Sequence, residues 1–250
     1  MIKTIKIVLF FSLTLFLFLL TSESTEAKSG GASIKGDSAI SFGLSIISSQ
    51  QKDLNSLVDF VNANSGGVST KAMNSAYDFY GQYMFRFSGS MFGLAFRPSY
   101  FMQSSTGTGA SVGDYKHELT GYTFFPLLRI YPLENNFIKF FLQAGVGYGY
   151  LKGKITQGSN ALEYSGSNFG GQAGLGAEFC FTASQCIGIE GNVRYLPVSR
   201  NVVDTLAGTF PAGSSGLSQA EASRELEYDT NDLATTMSGI QGVVSYIFNF

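Results

Sequence analysis

Tryptophan is absent from this 250-residue chain, histidine occurs once, cysteine twice and proline five times. Charged residues make up only 14% and the formal net charge is −2, so there is no basic footprint for nucleic acid. One histidine and two cysteines six positions apart give no metal-ligand spacing. No phosphate loop or cysteine nucleophile is present either, so neither a metal nor another cofactor is expected. Beyond the first 20 residues no apolar run approaches the length of a spanning helix. If the folded chain enters a membrane, it enters as strands.

The exception is the N-terminus. Lys3 and Lys6 precede an apolar run from Ile7 to Leu20, and Thr25-Glu26-Ala27 offers small residues at a cleavage site. That is the layout of a secretory signal peptide, and the run is short for a membrane helix. Residues 1–27 are therefore expected to be a signal peptide and 28–250 one domain, exported from a double-membraned bacterium. No cysteine follows the apolar run closely, so lipid attachment is not indicated.

What the chain has is glycine (30), phenylalanine (23) and tyrosine (13), arranged with a period of two. From Phe169 to Phe181 every second residue is small or apolar (Phe169, Gly171, Ala173, Leu175, Ala177, Phe179, Phe181). The alternate set is Gly170, Gln172, Gly174, Gly176, Glu178 and Cys180. After Thr182–Gln185 the alternation resumes, with Ile187, Ile189, Val193 and Tyr195 opposed to Glu190, Asn192 and Arg194. This spacing predicts a hairpin. Similar runs predict strands over Ser38–Ser48, Ala76–Phe87, Met91–Met102, His117–Tyr131, Phe137–Leu151 and Thr236–Phe250. Pro126, inside one of them, predicts a bulge or a broken ladder bond. Leu54, Leu57, Val58 and Val61 predict a short loop helix, and Ser218–Glu227 reads as a second.

The eight predicted strands alternate between long connections (Ser49–Asn74, Gln103–Asp114, Lys152–Ser165, Ser199–Asp232) and short ones (Ser88–Ser90, Pro132–Asn136, Thr182–Gln185). The expected fold is all-β: a closed eight-stranded antiparallel transmembrane β-barrel, an up-and-down meander with long extracellular loops and short periplasmic turns. A soluble barrel shares the strand number but buries its apolar face. Glycines on the charged face argue for the membrane form, because a narrow lumen needs small residues beside large ones.

The chain ends in Phe250, with Phe248 and Tyr246 at alternate positions, which resembles the C-terminal signal read by the outer-membrane assembly machinery. Together with the run Pro126 to Pro132 and the following strand Phe141 to Gly147, it resembles the eight-stranded outer-membrane family that includes the OmpA transmembrane domain, OmpX and OmpW. The resemblance implies the bacterial outer membrane as location. It implies outer-membrane lipids, lipopolysaccharide and the barrel assembly machinery as partners, and a monomer. The peptidoglycan-binding domain that follows the OmpA barrel is not expected here.

The candidate site is a set of lumen charges: Arg86, Arg97, Arg129, Lys139, Glu178, Glu190 and Arg194, with the two acids paired to some of the bases. Cys180 and Cys186 flank a turn on one face, where an oxidising periplasm permits a disulfide. His117 lacks a serine at i+2, so it is expected to be a surface or loop-base residue and not part of a lipid A-modifying site. Glu221, Glu225, Glu227, Asp229 and Asp232 are expected to form a solvated acidic loop. The expected role is structural or surface-interacting, with a plugged polar lumen and no enzymatic activity. The alternative is a narrow porin-like or OmpW-like conduit, hinted at by inward Phe125, Leu127 and Phe141, with a lipid A-modifying enzyme behind it.

Overall fold

The computed structural model describes residues 38–64, 69–109, 113–135 and 137–250. The expected signal peptide lies outside these residues.

The barrel strands are β1 (Ser38–Ser48), β2 (Ser75–Arg86), β3 (Phe92–Gly109), β4 (Gly113–Glu134), β5 (Ile138–Gln157), β6 (Asn160–Cys180), β7 (Gln185–Tyr195) and the last strand, Gly239–Asn249. Each pairs antiparallel with its neighbour in sequence, and the last strand pairs with both β7 and β1. The sheet therefore closes as eight strands without a free edge in the membrane. Pro126 leaves a gap in the β4–β5 ladder between Phe124 and Leu128, with the register unchanged across it. One residue is inserted on β4 between Ile130 and Leu133, where Pro132 sits.

The alternation read from the sequence sets which side meets lipid. Phe42, Leu44, Phe79, Phe124, Leu142, Leu175, Ile189 and Val244 are exposed on the outer face. Ser41, Asp78, Arg97, Arg129, Gln143, Glu178, Glu190 and Arg194 are buried in the interior. Tyr100, Tyr122 and Tyr150 pair laterally across β3, β4 and β5 and begin an aromatic girdle.

Above this girdle the polarity inverts. On the outer face Lys116, Glu118, Lys152 and Lys154 replace the aromatic residues, while Tyr115, Leu119, Leu151, Ile155, Leu162 and Tyr164 turn inward and are buried. Two connections expected to be polar loops, Gln103–Asp114 and Lys152–Ser165, are thus largely strand. β3 runs on to Gly109 and β4 starts at Gly113, while β5 and β6 meet at a turn after Gln157. Once outside lipid the sheet behaves like a soluble one, with charge to water and carbon to a core.

That core is the cap. Helix α1 (Lys52–Asn64) buries Leu54, Leu57, Val58 and Val61, the stripe seen in the sequence, and carries Asp53 in its first turn. Burial of each such side chain stabilises by about 1.5–3 kcal/mol. The long last loop supplies the other half through Leu217, Leu226 and Leu233, which join the same cluster. It contains the short strands β8 (Pro197–Val198), β9 (Val202–Ala207), β10 (Leu217–Gln219), β11 (Glu227–Tyr228), β12 (Asn231–Asp232) and β13 (Thr235–Thr236), and the last barrel strand is hence β14. The helix expected over Ser218–Glu227 is not formed. β10 and β11 pair antiparallel instead, and Ser223 takes φ 65°, which breaks any helix. Packing of Leu217 and Leu226 into the cap outweighs the helix-favouring Gln, Ala, Glu and Arg between them.

Candidate functional site

The barrel interior between girdle and periplasm is held by one hydrogen-bonded charge network. Arg97 on β3 donates from Nη2 to both carboxylate oxygens of Glu190 on β7, at 2.9 and 2.8 Å, and from Nε to Gln82 Oε1 at 2.8 Å. Arg129 on β4 donates to Glu190 Oε1 at 2.9 Å, to Glu178 Oε1 at 3.1 Å and to Gln143 Oε1 at 2.9 Å. Gln143 in turn donates to Glu190 Oε2 at 3.0 Å and to Asn192 Oδ1 at 2.7 Å. Tyr131 donates its hydroxyl to Glu178 Oε1 at 3.2 Å. The guanidinium carbons lie over aromatic faces, Arg97 4.2 Å from the Tyr80 ring centroid and Arg129 4.0 Å from that of Phe141.

This network explains the interior glycines. At Gly176 an added Cβ would meet the Phe141 ring, and at Gly43 the Tyr80 ring. Large side chains from one wall fill the space that glycine leaves on another.

A second pair lies nearer the cap. Arg194 Nη1 donates to Asp78 Oδ2 at 2.8 Å, Gln241 donates to the same oxygen at 3.2 Å, and Arg194 Nε donates to the Met237 carbonyl at 2.7 Å. Above it, Gln51 Nε2 donates to Gln103 Oε1 at 2.8 Å and to the Thr236 carbonyl at 2.6 Å, while Thr236 N–H donates to Gln51 Oε1 at 2.9 Å. Gln51 thus joins the start of α1 to the last loop across the mouth of the barrel.

Of the candidate charges, Arg97, Arg129, Glu178 and Glu190 come together. Arg194 belongs to Asp78 instead. Arg86 and Lys139 have their close ion pairs elsewhere, although Lys139 stands opposite Glu178 in the β5–β6 register. Arg86 forms a bidentate pair with Glu134, and Lys139 lies 3.8 Å from the same carboxylate. The sequence places Glu134 in a turn, whereas β4, with its inserted residue near Pro132, runs on to it. Asp78, Gln82, Gln143 and Asn192 were missed as site residues, although each occupies the inward phase of its strand and so was available to the alternation.

His117 is neither at the surface nor at a loop base. It points into the cap core, fully buried, with Nε2 2.8 Å from Tyr164 Oη. It sits above the girdle, outside the hydrocarbon, and burial holds its pKa down at about 3. Phe125, Leu127 and Phe141 do point inward, and all three are buried. In the acidic loop, Glu221 pairs with Arg224 and Glu225 with Arg200. Among the described residues no three acidic, histidine or cysteine side chains gather as a metal site. Cys180 and Cys186 lie opposite each other in the β6–β7 register and are joined as a disulfide. Asn249 Nδ2 donates to Cys186 Sγ at 3.2 Å, and Asn249 N–H donates to the Ser184 carbonyl at 2.8 Å, so the bridged turn seats the end of β14. Tyr246 and Phe248 face outward there, in ring contact at 4.7 Å between centroids, and Phe250 is exposed.

A closed antiparallel barrel with carbon outside and a paired charge network inside is a transmembrane β-barrel of the outer-membrane type. No protein-family model and no curated protein matches the chain. Among solved structures it is similar to the outer-membrane protein OprG of Pseudomonas aeruginosa, with 10% identity over 90% of this chain and 99% of that one (TM-score 0.48). It is also similar to Ail, the attachment invasion locus protein of Yersinia pestis, with 12% identity over 86% of this chain and 99% of that one (TM-score 0.44). The class assignment rests on the barrel's own closure and polarity.

Proposed function

We propose that this is a non-enzymatic outer-membrane barrel with a closed interior, whose work is done at the cell surface by its cap. In this reading residues 1–27 direct export, and Tyr246, Phe248 and Phe250 present the chain to the assembly machinery. The barrel then stands as a monomer among outer-membrane lipids and lipopolysaccharide. The supporting observation is Arg129, which is fully buried in the lumen and bonded to residues from four other strands, Gln82, Gln143, Glu178 and Glu190. A solute path would have to displace this side chain and the Arg97–Glu190 pair beside it. It would also have to part the apolar cap above. The placement of His117 beside Tyr164 inside the cap, away from lipid, favours a role without lipid chemistry.

The test is reconstitution of the full chain in planar bilayers. Silence across ±100 mV is the expected result of such a measurement, on the order of one membrane potential. Steady unitary conductance from the native protein would overturn the closed reading and favour a conduit. Unchanged lipid A masses on expression are the expected companion result.

A further inference from the structure

Two prolines interrupt the barrel wall, one on each side of a single hairpin. β3 and β4 pair without a break from Phe92–Ile130 up to Gly109–Gly113. The ladders that flank this hairpin are both broken. Between β2 and β3 the register holds, but the ladder skips Gly81–Pro98 and Gln82–Arg97. Between β4 and β5 it skips Phe125–Gly147, Pro126–Val146 and Leu127–Gly145. Each gap lies at a proline, which has no N–H to give to the strand beside it. The five remaining ladders of the barrel have no gap among the described residues.

Both gaps stand on the lipid side of the girdle, Pro98 two residues below Tyr100 and Pro126 four below Tyr122. Hydrocarbon offers no water in place of a missing ladder bond. Side chains on the lumen face tie the strands there. Arg97 Nε donates to Gln82 Oε1 at 2.8 Å, across one of the skipped pairs. Arg129 Nε donates to Gln143 Oε1 at 2.9 Å, beside the other gap. Both guanidinium groups also end on Glu190 of β7, Arg97 at 2.8 Å and Arg129 at 2.9 Å. One carboxylate therefore holds both flanks of the hairpin from across the lumen.

The upper end of the same hairpin is tied to the cap. Gln103 Nε2 donates to the Ser49 carbonyl at 3.1 Å, and its Oε1 accepts from Gln51 Nε2 at 2.8 Å. Ser105 Oγ donates to the Lys71 carbonyl. We propose that the β3–β4 hairpin is a hinged panel of the wall, slack at Pro98 on one flank and at Pro126 on the other. Glu190 clasps it shut through Arg97 and Arg129, and release of the clasp loosens the seat of the cap through Gln103. The panel is a packed element that both the lumen charges and the cap contact, which is what coupling between them requires. This inference goes beyond the closed-lumen reading and needs no open path.

The test is residue-resolved amide exchange of the full chain in nanodiscs, which reports local opening. Glu190→Gln removes the charge that the two arginines share and keeps the side-chain volume. Exchange at Gly81, Gln82 and Val146 should rise at least tenfold. So should exchange at Asn55, whose N–H donates to the Gln51 carbonyl at 2.8 Å. Amides that bond within the β3–β4 and β1–β14 ladders should rise less than threefold. Pro98→Val with Pro126→Val, added to the same chain, restores both donors and should bring the gap amides back to within threefold of native. If Glu190→Gln fails to assemble, the two valine substitutions in the otherwise native chain carry the test, and exchange at the gaps should slow at least tenfold. A rise spread evenly over all ladders, a rise at the gaps without one at Asn55, or gap amides that the valines leave unchanged would each overturn the proposal.

Discussion

Arg194 on β7 and Asp78 on β2, 116 positions apart in sequence, meet at 2.8 Å in the buried throat of the barrel. The same guanidinium holds the carbonyl of Met237, so one side chain ties the lumen to the last loop of the cap. Removing one partner leaves the other charge buried alone, which costs about 3–5 kcal/mol. Asp78→Ala is therefore expected to lower the temperature at which the folded band is lost on unheated gels. The joint change Asp78→Leu with Arg194→Met should recover much of that loss, because no orphaned charge remains. Equal loss in both variants would show that shape, not charge, makes the contact.

Most of the barrel was legible because lipid outside and a narrow lumen inside impose opposite demands on alternate residues. The alternation is legible only as far as the girdle for a physical reason. In Lys152-Gly153-Lys154-Ile155 the period of two persists, but its phase of polarity reverses once the outer face meets water. Charged residues there look like loop. The network was half legible: inward phase shows which residues enter the lumen, and pairing depends on strand stagger that sequence does not display. Hence the sequence offers Glu190 five bases, and the fold pairs it with Arg97 and Arg129.

His117 is expected to make the cap sensitive to acid. Its folded pKa is held at about 3 by burial, below the ordinary 6.5. The unfolded cap therefore binds a proton that the folded one refuses. Stability is full above pH 6.5 and falls as the pH drops from there toward 3. Amide exchange in β10–β12 should accelerate over this window while the membrane strands stay protected. His117→Gln, which keeps a hydrogen-bonding end for Tyr164, should flatten the response. An unchanged profile in that variant would assign the acid sensitivity elsewhere.

Two glycines separate lumen fit from lipid contact. A Cβ at Gly145 would strike the backbone carbonyl of Pro126, in the ladder gap that Pro126 leaves, and backbone there cannot swing aside. Gly191 faces lipid with nothing within 4 Å of such a Cβ. Gly145→Ala should destabilise by about 1–3 kcal/mol and Gly191→Ala by no more than about 0.5. The comparison is read from urea-driven loss of the folded form in micelles. Equal effects would mean that the contact made by the β5 glycine is absorbed by movement of the wall.

The disulfide closes a loop of only six residues' separation, so the chain-entropy model assigns it about 2 kcal/mol at most. Reduction of the finished barrel should accordingly lower its thermal unfolding midpoint by no more than about 4–8 °C. Folding is a different matter. The bridged turn supplies the Ser184 carbonyl and Cys186 sulfur that seat Asn249 at the end of β14, the strand that must find both β7 and β1 for closure. Cys180→Ser with Cys186→Ser should therefore refold into micelles more slowly than the oxidised chain, with a final yield close to native. Identical refolding rates, or a large drop in final stability, would show that the bridge acts on the finished barrel and not on its closure.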